Sequence, residues 1–184
     1  MPLYNVDYCR IDTPLGAFVL AAREGTLKGG WFVGQKYFPD IDAAHGWQAW
    51  ASPVLQEAHR QVDAYFAGRL NAFDLPLALE GTPFQQQVWA ALYRVPWGCT
   101  TSYAELAQQI GRPEAFHPVG AAVAHNPLLV IVPCHRAIGS DGSMTGYAGG
   151  VDRKRWLLDF ESGQGDLFGG AAPFAEAAGH SSGA

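Results

Sequence analysis

A chain of 184 residues with 48% hydrophobic and 16% charged side chains can bury one large core or two small ones, which excludes wholesale disorder. No stretch approaches the ~18 apolar residues of a membrane span, and no cationic segment followed by an apolar one opens the chain, so a cytoplasmic protein is expected. The net charge of −5 argues against coating nucleic acid by bulk electrostatics. Residues 1–79 hold 6 basic and 8 acidic side chains, and residues 80–163 hold 6 and 7, so any contact with nucleic acid must be local and shape-driven. Cys9, Cys99 and Cys134 are too few and too scattered for a disulfide framework. No CxxC or HxxxH pair occurs, so neither a metal nor a cofactor is expected.

The first third reads as strands. Residues 4–11, 17–23 and 27–33 are β-type runs separated by Thr13-Pro14-Leu15-Gly16 and Glu24-Gly25. A looser stretch leads to a helix with Ser52 as N-cap, Pro53 at its first position and Gly68 past its end. Residues 70–79 form either a last strand or the crossing to a second unit. No chemistry is evident here, and a scaffold domain over 1–79 is expected.

From residue 80 the pattern turns helical. Thr82 caps a helix beginning at Pro83, and Ser102 and Glu105 stand at capping-box spacing before SYAELAQQI. After Arg112-Pro113 a further helix runs to about His125, where Asn126-Pro127 breaks it. This is the outline of a helix-turn-helix. The second helix carries Gly120, Ala121, Ala122 and Ala124, small enough either to pack inside the domain or to approach another surface closely. LLVIV (128–132) looks like a buried strand leading into Pro133-Cys134-His135-Arg136. A Gly-rich loop and an amphipathic helix from about Asp152 to Glu161 follow, and residues 164–184, rich in Gly, Ala and Ser, are expected to form a disordered tail.

A cysteine beside a histidine and an arginine suits a reactive thiolate, although free cysteine is equally at home as an inert core residue. VPCHR, the Gly-rich loop with Tyr147, Asn126-Pro127 upstream, GTPFQQQVWAALYRVPWGCTTSYAELA and the closing RKRWLLDFESG together resemble the O6-alkylguanine-DNA alkyltransferases over residues 80–163. The match is weaker over 1–79.

The resemblance implies an α/β protein. A small ribonuclease H-like domain would precede a mostly helical one holding the helix-turn-helix and an alkyl-acceptor cysteine. It implies single-turnover transfer of the alkyl group from O6-alkylguanine in double-stranded DNA to Cys134, after the nucleotide is flipped out. His135 would draw the thiol proton through a water, Glu161 would orient His135, Asn126 would brace the turn, and Tyr103 would donate a proton to the departing guanine and help rotate its phosphate. His117, Pro118, Gly120, Ala121 and Ala124, with Tyr103 and Arg136, would meet the DNA from the minor groove. Tyr147, Ala148, Val132 and Pro133 would wall the base pocket. The protein would act as a monomer, without a membrane.

One position departs from the family pattern. His117-Pro118 stands where the family places arginine and alanine, so His117 or Phe116 becomes the expected wedge, with less phosphate attraction than arginine supplies. Pro118 is expected to begin the helix with His117 as its cap. Two other readings stay open: a lesion-binding relative without transfer, and a small-molecule enzyme using Cys134 and His135.

Overall fold

The computed structural model describes residues 6–42, 46–144 and 146–163. The expected tail over 164–184 lies outside them. The chain forms two compact units that divide between Ala78 and Leu79.

The first unit is a four-stranded sheet with one helix. Strands β1 (Val6–Thr13), β2 (Gly16–Arg23) and β3 (Thr26–Phe32) are successive antiparallel hairpins. Glu24 and Gly25 both have positive φ, +49° and +78°, the geometry of a two-residue turn whose twist matches its strands. The sheet order is β3-β2-β1-β4, with β4 (Trp47–Ala49) parallel to β1. β4 lies within the loose stretch of the sequence, since its three residues bear no recognisable period.

Strand β2 is buried on both faces, which is why it reads as a continuous apolar run. On one face Val6, Val19, Ala21 and Trp31 pack under Tyr8, Phe38, Ile41 and Trp47. The other face carries Phe18 and Leu20 and is covered by α1 (Pro53–Phe66), which buries Leu55, Ala58, Val62 and Tyr65. Ser52 precedes α1, but its hydroxyl caps nothing. The 70–79 segment is the crossing rather than a strand: it touches the sheet in a single parallel bridge between Leu27 and Leu77.

The second unit contains α2 (Pro83–Tyr93), β5 (Thr101–Ser102), α3 (Tyr103–Gln109), α4 (Phe116–Ala124), β6 (Ala137–Ile138) and α5 (Val151–Glu161). Thr82 with Gln85 and Ser102 with Glu105 both close reciprocal capping boxes, so each helix start is set by four residues of local sequence. α2, α3 and α4 pack on one another around Val88, Leu92, Leu106, Val119 and Val123. No helix among the described residues is long and apolar enough to cross a membrane.

Two expectations fail here. Residues 128–132 are not a strand but a sequence of tight turns, with Ile131 N–H bonded to the Leu129 carbonyl and Val132 N–H to that of Leu128. All five side chains are buried; the apolar run reported burial, which turns satisfy as well as strands do. Nor does Pro118 begin α4. The helix starts at Phe116, with Ala115 as its N-cap, so His117 and Pro118 are its second and third residues. Proline is tolerated there because first-turn N–H groups have no partner within the helix.

Candidate active site

The loop after α4 is built around Asn126. Its amide donates to the carbonyls of Val132 (2.8 Å) and Leu128 (3.3 Å), and its Oδ1 accepts from Leu128 N–H (3.0 Å). Val130 has φ +69°, a costly conformation for a β-branched residue. The buried Asn126 bonds oppose its relaxation. The brace delivers the chain to a single 3₁₀ turn, Cys134–Arg136, buried throughout.

On that turn the His135 and Arg136 side chains both reach Glu161. Cys134 is 3% exposed. Burial pushes its thiol up to about 11, against the opposing pull of a hydrogen bond from Asn126 and the charge of Lys154. The resting group is therefore a neutral thiol that needs a base. His135 is fully buried, and its Nε2 lies 2.6 Å from Glu161 Oε1. With Nε2–H donating to the carboxylate, Nδ1 carries the lone pair, and that buried atom has no hydrogen-bond partner. Burial lowers the His135 pKa while Glu161 pulls it back up; the ring is held as a neutral, oriented base.

Glu161, at the last turn of α5, does not face solvent. Burial works to raise its pKa, but hydrogen bonds from His135 and Arg136 outweigh this and hold the carboxyl at about 2. Arg136 donates Nε to Oε2 (2.8 Å), Nη2 to Oε1 (2.8 Å) and Nη1 to the Val95 carbonyl (2.6 Å). Expected at the DNA surface, Arg136 is instead turned inward and 5% exposed; the reason is the bidentate match between guanidinium and carboxylate. Basic character alone did not reveal this inward orientation.

The expected pocket residues Val132, Pro133, Tyr147 and Ala148 are all buried. The Tyr147 ring meets that of His135 edge-on at 6.5 Å between centroids, and its hydroxyl has no hydrogen-bond partner. Burial raises the Tyr103 pKa, and the Cys134 charge adds to the effect, so Tyr103 keeps its proton and lies within electrostatic reach of the thiol.

α4 has two distinct faces. Val119, Ala122 and Val123 are buried, His117, Pro118 and Ala121 are exposed, and Gly120 and Ala124 are half-buried. A cleft of about 330 Å³ at its N-terminal end is lined by Tyr103, Ala104, Phe116, His117, Gly120, Ser140 and Gly146. Phe116 is exposed, with its ring 4.4 Å from that of His117. Among the described residues no group of three or more His, Cys, Asp or Glu side chains is placed to hold a metal ion.

Residues 6–79 match the ribonuclease-like domain of 6-O-methylguanine DNA methyltransferase, and residues 83–163 match its DNA binding domain. The chain is 45% identical over 160 residues to a methylated-DNA–protein-cysteine methyltransferase of Mycolicibacterium paratuberculosis, covering 85% of this chain and 92% of that one. It is 46% identical over 156 residues to the protein of the same name from Methanosarcina barkeri, covering 84% and 96%. The crystal structure of Mycobacterium tuberculosis OGT in complex with DNA superposes with a TM-score of 0.79 at 45% identity, covering 86% of this chain and 94% of that one. A mixed α/β fold ending in a cysteine-bearing helical unit, matched along both halves, places this chain in the 6-O-methylguanine DNA methyltransferase family.

Proposed function

We propose that this protein repairs double-stranded DNA by moving the alkyl group of O6-alkylguanine onto Cys134, once per chain. The observation that carries the reading is the Cys134–His135–Glu161 arrangement: a buried neutral thiol next to a histidine whose Nε2 is fixed by a carboxylate and whose Nδ1 is unclaimed. The names of the relatives and the DNA-bound structural neighbour support it.

The chemistry follows from these groups. His135 Nδ1 takes the Cys134 proton through a water, and Glu161 stabilises the imidazolium that forms. The thiolate attacks the alkyl carbon; the S–C bond forms as the C–O6 bond breaks. Tyr103, protonated at rest, gives its proton to the departing guanine and regains one from His135. The sum is thiol plus alkylguanine to thioether plus guanine. Nothing in the site hydrolyses a thioether, so the chain is spent after one transfer.

The target atom lies inside a duplex, so the nucleotide must leave the stack. The exposed small residues of α4 suit a close approach to the minor groove, and the Phe116–His117 ring pair at its first turn is the wedge that fills the gap. A single chain contains every group used, and it acts as a monomer.

Intact and peptide mass spectrometry after mixing with a duplex holding one O6-methylguanine tests the proposal. One methyl gained on the Cys134 peptide, saturating at one per chain and absent in Cys134→Ser, is expected. Binding without methyl gain would replace repair with lesion recognition; neither binding nor gain would return the small-molecule thiol reading.

A further inference from the structure

The carboxylate that orients His135 stands where a helix holds its residues least firmly. Glu161 is the last residue of α5, and terminal turns fray. The negative end of the helix dipole also disfavours a carboxylate there. Yet Glu161 Oε1 must stay at 2.6 Å from His135 Nε2 for that ring to keep its orientation. Its place has to be fixed from outside the helix.

The turn after α2 reaches this helix end along three lines. Val95 offers its carbonyl to Arg136 Nη1 (2.6 Å), and the same guanidinium binds both Glu161 oxygens. A Cβ on Gly98, which has φ +77°, would stand 3.4 Å from the Glu161 main-chain oxygen, so turn and helix end lie in contact. Between these points the Trp97 ring meets that of Phe160 edge-on, with centroids 5.4 Å apart and planes at 73°. Trp156, one helical turn before Phe160, stacks on it at 5.0 Å. Phe160 is thus held by its own helix and by Trp97. All three rings are half-buried, so this packing places a helix end rather than filling a core. The turn itself is closed by Cys99 N–H bonded to the Pro96 carbonyl (3.1 Å). We propose that Trp97 is a positioning residue for the transfer reaction: by packing on Phe160 it seats the end of α5 and keeps the adjacent Glu161 carboxylate on His135. The inference rests on the repair reading for its purpose, and on the contacts above for its substance.

The test uses the full chain without DNA, labelled with nitrogen-15 at histidine. The His135 Nε2–H that donates to Glu161 is fully buried, so its exchange with water is slow enough to follow by NMR. Wild type, Trp97→Ala and Trp97→Phe are compared, each shown to be folded by its urea transition. Exchange is expected to be about five- to tenfold faster in the alanine variant, the effect an aromatic pair carries, and within about twofold of wild type in the phenylalanine variant, which keeps a ring. Trp89→Phe loosens the same unit between α2 and α4 and is expected to stay within about twofold as well, because it acts at a separate contact. Equal exchange in wild type and Trp97→Ala, an equal rise in both Trp97 variants, or as large a rise in Trp89→Phe would overturn the proposal. If Trp97→Ala does not fold, Trp97→Leu takes its place under the same criteria. With an O6-methylguanine duplex at saturation, methyl transfer to Cys134 is expected to be about fivefold slower in Trp97→Ala at unchanged DNA affinity; a loss of affinity with an unchanged saturated rate also overturns it. Failure of the exchange measurement leaves the repair reading standing, and failure of wild-type methyl transfer leaves the Trp97–Glu161 placement standing.

Discussion

The indole N–H of Trp89 in α2 donates to the carbonyl of Ala122 in α4 at 2.8 Å, with both residues buried. α4 has no side-chain N-cap and no acidic residue in its first turn, so its placement depends on such tertiary ties. Trp89→Phe removes the donor and part of the ring volume. A loss of about 1–3 kcal/mol in urea unfolding is expected, with the methyl-transfer rate of the folded protein nearly preserved. An unchanged unfolding midpoint would show that the bond contributes nothing.

Acid should destabilise the second unit in a defined order. His135 is buried with its pKa lowered, so below its ordinary value near 6.5 the unfolded chain binds a proton that the folded one refuses, and stability begins to fall. Glu161 is held at about 2. Its contribution is complete above its ordinary value near 4.5 and is lost as pH falls from there toward 2. The carboxylate accounts for on the order of 3 kcal/mol. Glu161→Gln should flatten the acid limb of the stability–pH curve and lower stability at neutral pH, because it leaves Arg136 buried without a counter-charge. A variant that keeps the wild-type acid limb would count against this assignment.

Asn126→Ala strips the loop of three hydrogen bonds at once. Two buried carbonyls and one N–H lose a partner, at a cost on the order of 3 kcal/mol, and the strained Val130 conformation is freed to relax. Methyl transfer should fall by more than tenfold even under conditions where the variant is fully folded, since Cys134 also loses its Asn126 hydrogen bond. A fully folded variant with wild-type transfer would rule out the bracing role.

Phe116 and His117 sit on the exposed first turn of α4 and carry little of the fold. Phe116→Ala is expected to change stability by less than about 0.5 kcal/mol while slowing transfer from duplex DNA and sparing transfer from a single strand. His117→Arg should tighten DNA binding and steepen its salt dependence, because one phosphate contact is added. Titrations at two salt concentrations would expose an error: identical slopes mean that residue 117 does not meet the backbone.

The N-terminal strands, the Thr82 cap, the Ser102–Glu105 capping box and the helix of small residues were legible because each is specified within a few consecutive residues, by turn chemistry, cap spacing or period. The alkyl-acceptor reading of Cys134 came from ordered motifs that resemble a family; the tetrapeptide around it admitted an inert thiol equally well. Three things waited for the tertiary structure. The 128–132 run became turns, because Asn126 satisfies from its side chain the backbone groups that a strand would have paired. Arg136 turned inward, because Glu161 arrives from 25 residues further along the chain to meet it. Lys154 joined the Cys134 turn for the same reason: sequence sets the i, i+7 stripe that unites it with Glu161, but only the packing of α5 against the turn decides what that stripe touches. Local signals act through bonds and neighbours along the chain, whereas the charges that govern a buried thiol come from wherever the fold brings them.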